Sequence, residues 1–238
     1  MGEARTVIVN ADDFGQSAGV NAGVIEAHDR GIVTSASLMV RWPAAAEAVA
    51  LQRARPSLGL GIHLDLGEWA FDGRDWVPRY EVVAPGDAAA VEAEISRQLA
   101  LFEAMVGAPP THVDSHQHVH RRSPAREAAL AAAARLRVPL RHFDPRIRYC
   151  GDFHGQDEQG RPLHELITPA ALERVLAGLP EGVTELACHP GRLGDVASTY
   201  RVERSMEVEA LCQPSLAAWL RGQRIALRSF AGFGPGPG

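Results

Sequence analysis

The sequence lacks the features that define several protein classes. It contains no run of about 18 apolar residues, so no transmembrane helix is expected. Its first ten residues, MGEARTVIVN, include no apolar core of a secretory signal peptide. The three cysteines, Cys150, Cys188 and Cys212, have no CxxC spacing, which argues against a disulfide framework and a cysteine-bound zinc site. We therefore expect a cytoplasmic protein that is not inserted in a membrane.

The sequence also lacks an excess of positive charge. A net charge of -5 at pH 7 and a pI near 6.1 argue against nucleic acid or an anionic membrane as the main partner. The 238 residues are 46% hydrophobic and 22% charged, as in ordinary globular proteins. No internal linker rich in proline, glycine or serine divides them. One domain is predicted over residues 1–230, followed by a flexible glycine- and proline-rich tail at 231–238.

Apolar segments of strand length alternate with helical patterns along the chain. Strands are predicted at residues 6–10, 35–40, 58–66, 111–115, 139–143, 183–189 and 224–230. Helices are predicted at residues 18–31, 43–55, 87–107, 123–138, 168–179 and 202–221. Strands separated by helices of this length indicate a parallel sheet with right-handed crossovers. About seven such units predict an α/β fold, a single-domain irregular or incomplete (β/α) TIM-like barrel, with a doubly wound open sheet as the alternative.

Two long segments interrupt this alternation. Residues 68–86 carry four large aromatic side chains, and residues 144–165 contain the motif DFHGQDEQG. Long loops in compact domains are usually functional or mobile. The aromatic side chains of the first segment can line a binding surface or anchor an otherwise loose loop.

The stretch HVDSHQHVH, residues 112–120, is the densest group of possible metal ligands in the sequence. It contains His112, Asp114, His116, His118 and His120, which would share one face of an extended backbone. Alternate residues lie about 6.6 Å apart along a strand, so at most one or two of them can bind the same ion. The remaining ligands of a metal site must come from elsewhere in the chain.

Further acidic residues and histidines fall near the ends of other predicted strands. Parallel strands bring their carboxyl ends to one face, so these side chains are expected to converge. They are Asp12 and Asp13 after the first strand, His63 in the third, Asp114 and His116 in the fourth, and His189 in the sixth. Each position alone also fits a turn cap or a hydrogen-bonded core histidine, and only the combination predicts a site.

Two imidazoles and one carboxylate with open coordination positions are typical of a catalytic divalent-metal site. Zinc lowers the pKa of a bound water to about 7 and can polarise a carbonyl group. A second carboxylate can then act as general base, and a histidine can protonate a leaving amine. The adjacent pair Asp12 and Asp13 offers both carboxylates, because a turn can direct neighbouring side chains differently.

The motifs VNADDFG, GIVTSASLMV, LGLGIHLDL, THVDSHQHVH and TELACHPG run in this order over about residues 7–191. Together they resemble the YdjC-like carbohydrate deacetylases, which include chitooligosaccharide deacetylases and a branch associated with hopanoid biosynthesis. The resemblance implies a (β/α)-barrel-like fold and metal-dependent removal of an acetyl group from an N-acetylated amino sugar or its conjugate. It also implies one divalent ion, Zn²⁺ or Mg²⁺, as cofactor and an N-acetylated sugar as the partner.

The same resemblance implies functions for individual residues. The metal ligands would be Asp13, His63 and His116. The general base that activates a metal-bound water would be Asp12, and His189 would be the general acid or would stabilise the tetrahedral intermediate.

Other residues are expected to support that site. Asp114 is expected to orient a ligating histidine, and His118 and His120 to line the pocket or bond to groups behind the ligands. Asp65 and His154 depart from the family's usual residues, and we expect them to affect substrate contacts, not the metal ligands. Trp69 and Trp76 are candidates for stacking against sugar rings, although aromatic side chains can equally anchor a loop.

Other functions stay open at the level of sequence. A sugar isomerase usually needs a carboxylate-rich site, whereas a phosphoesterase needs a second metal or basic residues such as Arg146, Arg148 and Arg192. A non-catalytic sugar-binding protein of the same fold is a third possibility. A homodimer is the default expectation for the assembly.

Overall fold

The structure, a computed structural model, describes residues 5–192 and 198–233. In that part of the chain the strands are β1 (Arg5–Phe14), β2 (Ser35–Leu38), β3 (Gly59–Leu64), β4 (Gly67–Phe71), β5 (Trp76–Glu81), β6 (Val113–Ser115), β7 (Ile147–Cys150), β8 (Gly182–Cys188) and β9 (Ile225–Leu227). The helices are α1 (Ala18–Asp29), α2 (Ala45–Arg53), α3 (Ala88–Val106), α4 (Ala125–Leu136), α5 (Pro169–Gly178), α6 (Val202–Leu211) and α7 (Leu216–Gly222). Short 3₁₀ helices cover His116–Arg121, His164–Ile167 and Phe230–Phe233.

One curled parallel sheet forms the centre of the fold. Its strand order is β6-β3-β2-β1-β8-β7, and β9 pairs with the first residues of β1. Every strand pair in this sheet is parallel. Within the described residues the end strands β6 and β7 do not pair with each other, so the barrel is incomplete. This architecture confirms the predicted incomplete TIM-like barrel.

The helices begin where the sequence supplies hydrogen-bond acceptors. Ser17, Asp87 and Thr168 each accept a backbone N–H bond in the first turn of α1, α3 and α5. Apolar side chains from these helices and from the strands form one large buried core. Cys188 lies in that core, and its thiol donates to the carbonyl of Asn10 at 3.3 Å.

One predicted strand is wrong. Residues 139–143 make only a single bridge, between Leu140 and Val113, and the strand in this region is β7. The segment PLRHF has the apolar character of a strand, but His142 has a left-handed φ of 68°, which ends any extended run.

The predicted helix over 202–221 is two helices, α6 and α7. They are separated at Pro214, which has no backbone N–H and disfavours helical conformation at the residue before it. The interrupting segment 68–86 also contains regular structure, because β4 and β5 pair there as an antiparallel hairpin.

No helix in residues 5–192 and 198–233 has the length and apolar character needed to cross a bilayer. Residues 231–233 of the predicted tail belong to the last 3₁₀ helix, and residues 234–238 lie outside the described residues. The proposed domain boundary at residue 230 stays a prediction.

Candidate metal centre

A bulge near the end of β1 turns two consecutive carboxylates toward the same cavity. The pairing of β1 with β2 shifts register between Ala11 and Phe14, and Asp13 has a left-handed φ of 64°. Aspartate adopts this conformation more readily than most residues. Strands with a bulge can re-aim side chains in this way, and both Asp12 and Asp13 line the cavity.

The three predicted metal ligands meet at this point. The Oδ1 atom of Asp13 lies 3.1 Å from Nδ1 of His116 and 3.4 Å from Nε2 of His63. One donor atom from each residue lies within 4.8 Å of the others. His63 comes from β3, and His116 opens the 3₁₀ helix after β6, so three separate strands contribute to the group.

A buried carboxylate orients one of these imidazoles from behind. Nδ1 of His63 donates to Oδ1 of Asp114 at 2.8 Å, which leaves Nε2 directed toward Asp13. The other oxygen of Asp114 accepts a 2.6 Å bond from the Ser37 hydroxyl. A carboxylate behind a ligating histidine fixes the ring and increases its basicity.

Charge–charge contacts set the protonation of the group. Burial opposes charge on His63, but the Asp114 carboxylate outweighs it and raises the pKa of His63 to about 10. Burial also opposes charge on His116, and its hydrogen bond to Asp13 raises the pKa of that ring to about 9. Arg204, 2.6 Å from Oδ2 of Asp13, keeps the pKa of Asp13 well below its usual range despite burial. A divalent ion would therefore compete with protons at both imidazoles.

The donor set fits a divalent ion. Nε2 of His116 is buried and has no hydrogen-bond partner, which is rare for a buried polar atom. An acidic oxygen, Oε2 of Glu68, lies 3.5 Å from that nitrogen. Two imidazoles and a carboxylate at this spacing match the ligand types of a catalytic metal site with open positions.

Two other groups of possible ligands within the described residues are less suitable. In the group of Asp12, His63 and Asp114, the guanidinium of Arg141 already occupies oxygens of both carboxylates. In the group of His154, His189 and Glu207, both carboxylate oxygens of Glu207 accept hydrogen bonds from the protein, from the Tyr200 hydroxyl and the His189 backbone.

Asp12 is held by a buried arginine beside the candidate ligands. Nη2 and Nη1 of Arg141 donate to its two oxygens at 2.7 and 2.6 Å, and the Asn10 amide donates at 2.8 Å. Burial favours the protonated acid, but Arg141 outweighs it and lowers the pKa of Asp12. Asp12 is thus an oriented, ionised carboxylate next to the metal group.

His189 lies on the other side of Asp12, directly after β8. Its Nε2 is 3.8 Å from Oδ2 of Asp12, and its Nδ1 is buried without a hydrogen-bond partner. Burial lowers the pKa of His189 to about 3, so the ring is neutral at pH 7. Its backbone N–H donates to Glu207 at 2.5 Å, and the Tyr200 hydroxyl donates to the second oxygen of Glu207.

A cavity of about 1670 Å³ is lined by Asp12, Asp13, His63, His116 and His189. The β4–β5 hairpin forms one of its walls with Trp69, Phe71 and Trp76. The side-chain amide of Gln117 accepts from the backbone N–H of Trp69 at 2.9 Å and donates to its carbonyl at 2.8 Å. This pair of hydrogen bonds ties the hairpin to the residue that follows His116.

A family model described as "YdjC-like protein" matches residues 6–222. The chain belongs to this YdjC-like family. A carbohydrate deacetylase of Geobacillus stearothermophilus is 32% identical over 96% of this chain and 98% of the relative. A chitooligosaccharide deacetylase of Serratia marcescens is 31% identical over 95% of this chain and 98% of the relative. The solved structure of a putative cellobiose-phosphate cleavage protein from Enterococcus faecalis V583 has a TM-score of 0.77 and 26% identity, covering 98% of this chain and all of that one.

The histidine-rich stretch of this YdjC-like protein is extended only as far as Ser115. Gln117 and His118 have left-handed φ angles of 48° and 53°, so the five ionisable residues do not share one face. His118 lines the cavity, with Nε2 3.1 Å from the Tyr149 hydroxyl. His120 is buried between the Ser115 hydroxyl and the carbonyl of Arg141 and does not line the cavity.

Asp65 and two of the three arginines lie away from the cavity where the sequence suggested them. Asp65 accepts hydrogen bonds from Trp42 and Tyr80 and so anchors the hairpin of this YdjC-like protein; it does not line the large cavity. The guanidinium groups of Arg146 and Arg192 are paired with Asp144 and Glu26, and neither arginine lines the cavity. Arg148 lines the cavity and donates to the carbonyl of Glu181.

Sequence reasoning missed the charged and polar residues that support the site in this YdjC-like protein. They are Glu68, Arg141, Glu185, Tyr200, Arg204 and Glu207. Arg204 and Glu207 lie three residues apart and so share one face of α6, which is the one signal the sequence offers for them. Charges at that spacing more often form a solvated helix face.

Proposed function

We propose that this protein is a metal-dependent carbohydrate N-deacetylase, a hydrolase that removes the acetyl group from an N-acetylated amino sugar or its conjugate. The observation that carries the proposal is the grouping of Asp13, His63 and His116 beside the Asp12–Arg141 pair and His189. The names of the relatives from Geobacillus stearothermophilus and Serratia marcescens support the same reaction.

Asp13, His63 and His116 would hold one divalent ion. Such an ion supplies Lewis-acid chemistry, polarising the acetyl carbonyl and lowering the pKa of a water molecule. We favour Zn²⁺ over Mg²⁺, because two of the three donors are imidazoles and Mg²⁺ prefers oxygen ligands.

The chain's own residues then move the protons. Asp12, ionised and oriented by Arg141, accepts a proton from the attacking water while the oxygen of that water bonds to the acetyl carbon. His189 donates a proton to the departing nitrogen as the carbon–nitrogen bond breaks, which yields acetate and a free amine. A buried imidazole with a lowered pKa is a strong acid once protonated, so delivery of its proton is favoured. His189 can receive this proton from Asp12, because its Nε2 atom lies 3.8 Å from Oδ2 of Asp12.

The aromatic side chains of the hairpin give the cavity a surface suited to the apolar faces of sugar rings. We propose that Trp69 and Trp76 contact the substrate, because both line the cavity and Trp76 is 54% exposed. A cytoplasmic location and a homodimeric assembly are further proposals that follow from the sequence alone.

The test is a substrate panel assayed with purified, zinc-loaded protein. N-acetylglucosamine, its β-1,4-linked oligomers and O-acetylated and phosphorylated sugars are assayed for acetate, free amine and inorganic phosphate. Equal amounts of acetate and amine from an N-acetylated sugar are expected. Release of phosphate without acetate, or no acetate from any N-acetylated sugar by metal-loaded protein, would contradict the proposal.

A further inference from the structure

A second imidazole lies beside His189 on the cavity wall. His154 belongs to the loop after β7, and its ring centroid is 5.2 Å from that of His189 in an edge-to-face arrangement. A nitrogen of His154 and a nitrogen of His189 lie within 4.8 Å of each other, with no direct hydrogen bond between the rings. A single hydroxyl group can bridge the two nitrogens, because two hydrogen bonds of about 2.8 Å that meet at one oxygen cover this distance.

The position of the His154 ring is fixed by its neighbours. It stacks on Tyr200 with a centroid distance of 4.7 Å and an interplanar angle of 9°. The next residue, Gly155, donates its backbone N–H to the Tyr200 hydroxyl at 2.8 Å. A Cβ atom at Gly155 would lie 2.6 Å from Cδ1 of Ile167 and 2.9 Å from Cγ of Glu203, so a larger residue there would require these side chains to shift.

His154 and His189 are held by the same buried group. The Tyr200 hydroxyl accepts the backbone N–H of Gly155 in the loop of His154 and donates to Glu207. Glu207 also accepts the backbone N–H of His189. The two imidazoles are therefore fixed relative to each other by Tyr200 and Glu207. Fixed donors and acceptors bind a ligand at lower entropic cost than mobile ones.

The nitrogens of His154 are available for a ligand. Neither ring nitrogen makes a hydrogen bond to any residue in the described part of the chain, although the ring lines the cavity. Burial lowers the pKa of His154, so the ring offers one N–H donor and one acceptor at neutral pH. That combination suits a hydroxyl group, which both donates and accepts.

We propose that His154 is a substrate-contacting residue that hydrogen-bonds a hydroxyl of the amino sugar whose acetyl group is removed. This inference rests on the proposed deacetylase function and adds a determinant of specificity to it. His154 would recognise the sugar ring next to the departing nitrogen, whereas the metal group and Asp12 act on the acetyl group itself.

The test combines two substitutions at His154 with a set of deoxy substrates. His154→Phe retains a ring that can stack on Tyr200 but removes both nitrogens, and His154→Asn retains hydrogen-bonding groups. Acetate release is measured on N,N′-diacetylchitobiose and on analogues that each lack one hydroxyl of the deacetylated ring. His164→Phe is the matched control, because His164 belongs to the same region but does not line the cavity.

For the parent substrate, His154→Phe is expected to lower kcat/KM on the order of 10- to 100-fold, with partial recovery in His154→Asn. One deoxy analogue should be cleaved equally well by wild type and His154→Phe, because the lost hydroxyl is the one that His154 contacts. Metal content should be unchanged in all variants.

Two results would overturn the inference while leaving the deacetylase function intact. One is an active wild type whose kcat/KM on the parent substrate is unaffected by His154→Phe. The other is an equal loss on the parent and on every deoxy analogue, which would show that His154 is structural. Absence of acetate release by the metal-loaded wild type from every N-acetylated sugar of the panel would instead reject the proposed function itself.

Discussion

Two neighbouring aspartates have different surroundings, and we propose that this difference gives them different functions. Asp13 shares one oxygen with His63 and His116, whereas Asp12 is bound through both oxygens by Arg141. The sequence motif ADDFG predicts two carboxylates near a strand end but cannot say which would face the imidazoles. The left-handed φ of Asp13 makes that choice, and a single sequence does not reveal it.

The substitution Asp12→Asn tests the general base. It preserves the shape of the side chain and removes its ability to accept a proton. We expect kcat/KM for acetate release to fall by about 10² to 10⁴. Metal content, measured by elemental analysis, should stay near that of the wild type because Asp12 is not a ligand. Activity within a few-fold of wild type in a fully metal-loaded variant would show that another group is the base.

The substitution Asp114→Asn tests the support behind His63. It removes the charge that orients and strengthens the Nδ1 hydrogen bond of His63, so metal affinity should weaken by about 10- to 100-fold. Glu185→Gln is the matched control, since Glu185 is also a buried carboxylate on Arg141 but contacts no candidate ligand. Competitive chelator titration measures both affinities. Equal weakening in both variants would mean that the Arg141 contacts, and not the His63 bond, control metal binding.

At the scale of elements, the parallel strands were the most predictable part of the molecule. Apolar runs at β1, β3 and β8 are long enough to identify the strands, and their parallel arrangement places Asp12, His63 and His189 at one end of the sheet. The β4–β5 hairpin was missed, because its strands carry many polar residues and β5 is largely exposed. Asp65 anchors this hairpin by accepting hydrogen bonds from Trp42 and Tyr80, and the sequence alone does not show these contacts.

The substitution Trp76→Ala tests the hairpin as a sugar-contacting wall. The side chain is largely exposed toward the cavity, so its loss should raise KM for a chitooligosaccharide several-fold, with kcat and thermal stability nearly unchanged. Val77→Ala is the matched control, because Val77 is the next residue on β5 and does not line the cavity. Similar kinetics for Trp76→Ala and wild type on every chain length would exclude a contact with the substrate.

At the scale of the whole molecule, the barrel interior contains a charge cluster built from distant segments. Arg141 pairs with Asp12 from β1, Asp114 from β6 and Glu185 from β8, all of them buried. Sequence patterns predict burial for apolar residues and exposure for charges, so this cluster could not be predicted. One guanidinium cannot compensate three buried acids, and burial raises the pKa of Glu185 to about 7.

This raised pKa predicts a pH dependence of stability. The pKa of Glu185 is about 4.5 in the unfolded chain and about 7 in the folded protein. Between these pH values the folded state binds a proton at Glu185 that the unfolded state does not. The free energy of unfolding therefore falls as pH rises through this range, by at most about 1.4 kcal/mol per pH unit. Glu185→Gln should lose that contribution.

Urea unfolding of wild type and Glu185→Gln at pH 5 and pH 7, in the same metal-free buffer, measures the effect. The difference between the two proteins isolates Glu185 from the other titrating groups. Parallel stability curves would show that Glu185 is already ionised in the folded protein at pH 5.

We propose that deacetylation requires one divalent ion held by Asp13, His63 and His116. The most direct measurement is acetate release from N,N′-diacetylchitobiose by metal-stripped protein titrated with Zn²⁺, for wild type and His116→Ala. We predict no release without metal, activity that saturates at one ion per chain in the wild type, and little recovery in His116→Ala. Full acetate release by protein shown to be metal-free would contradict the account.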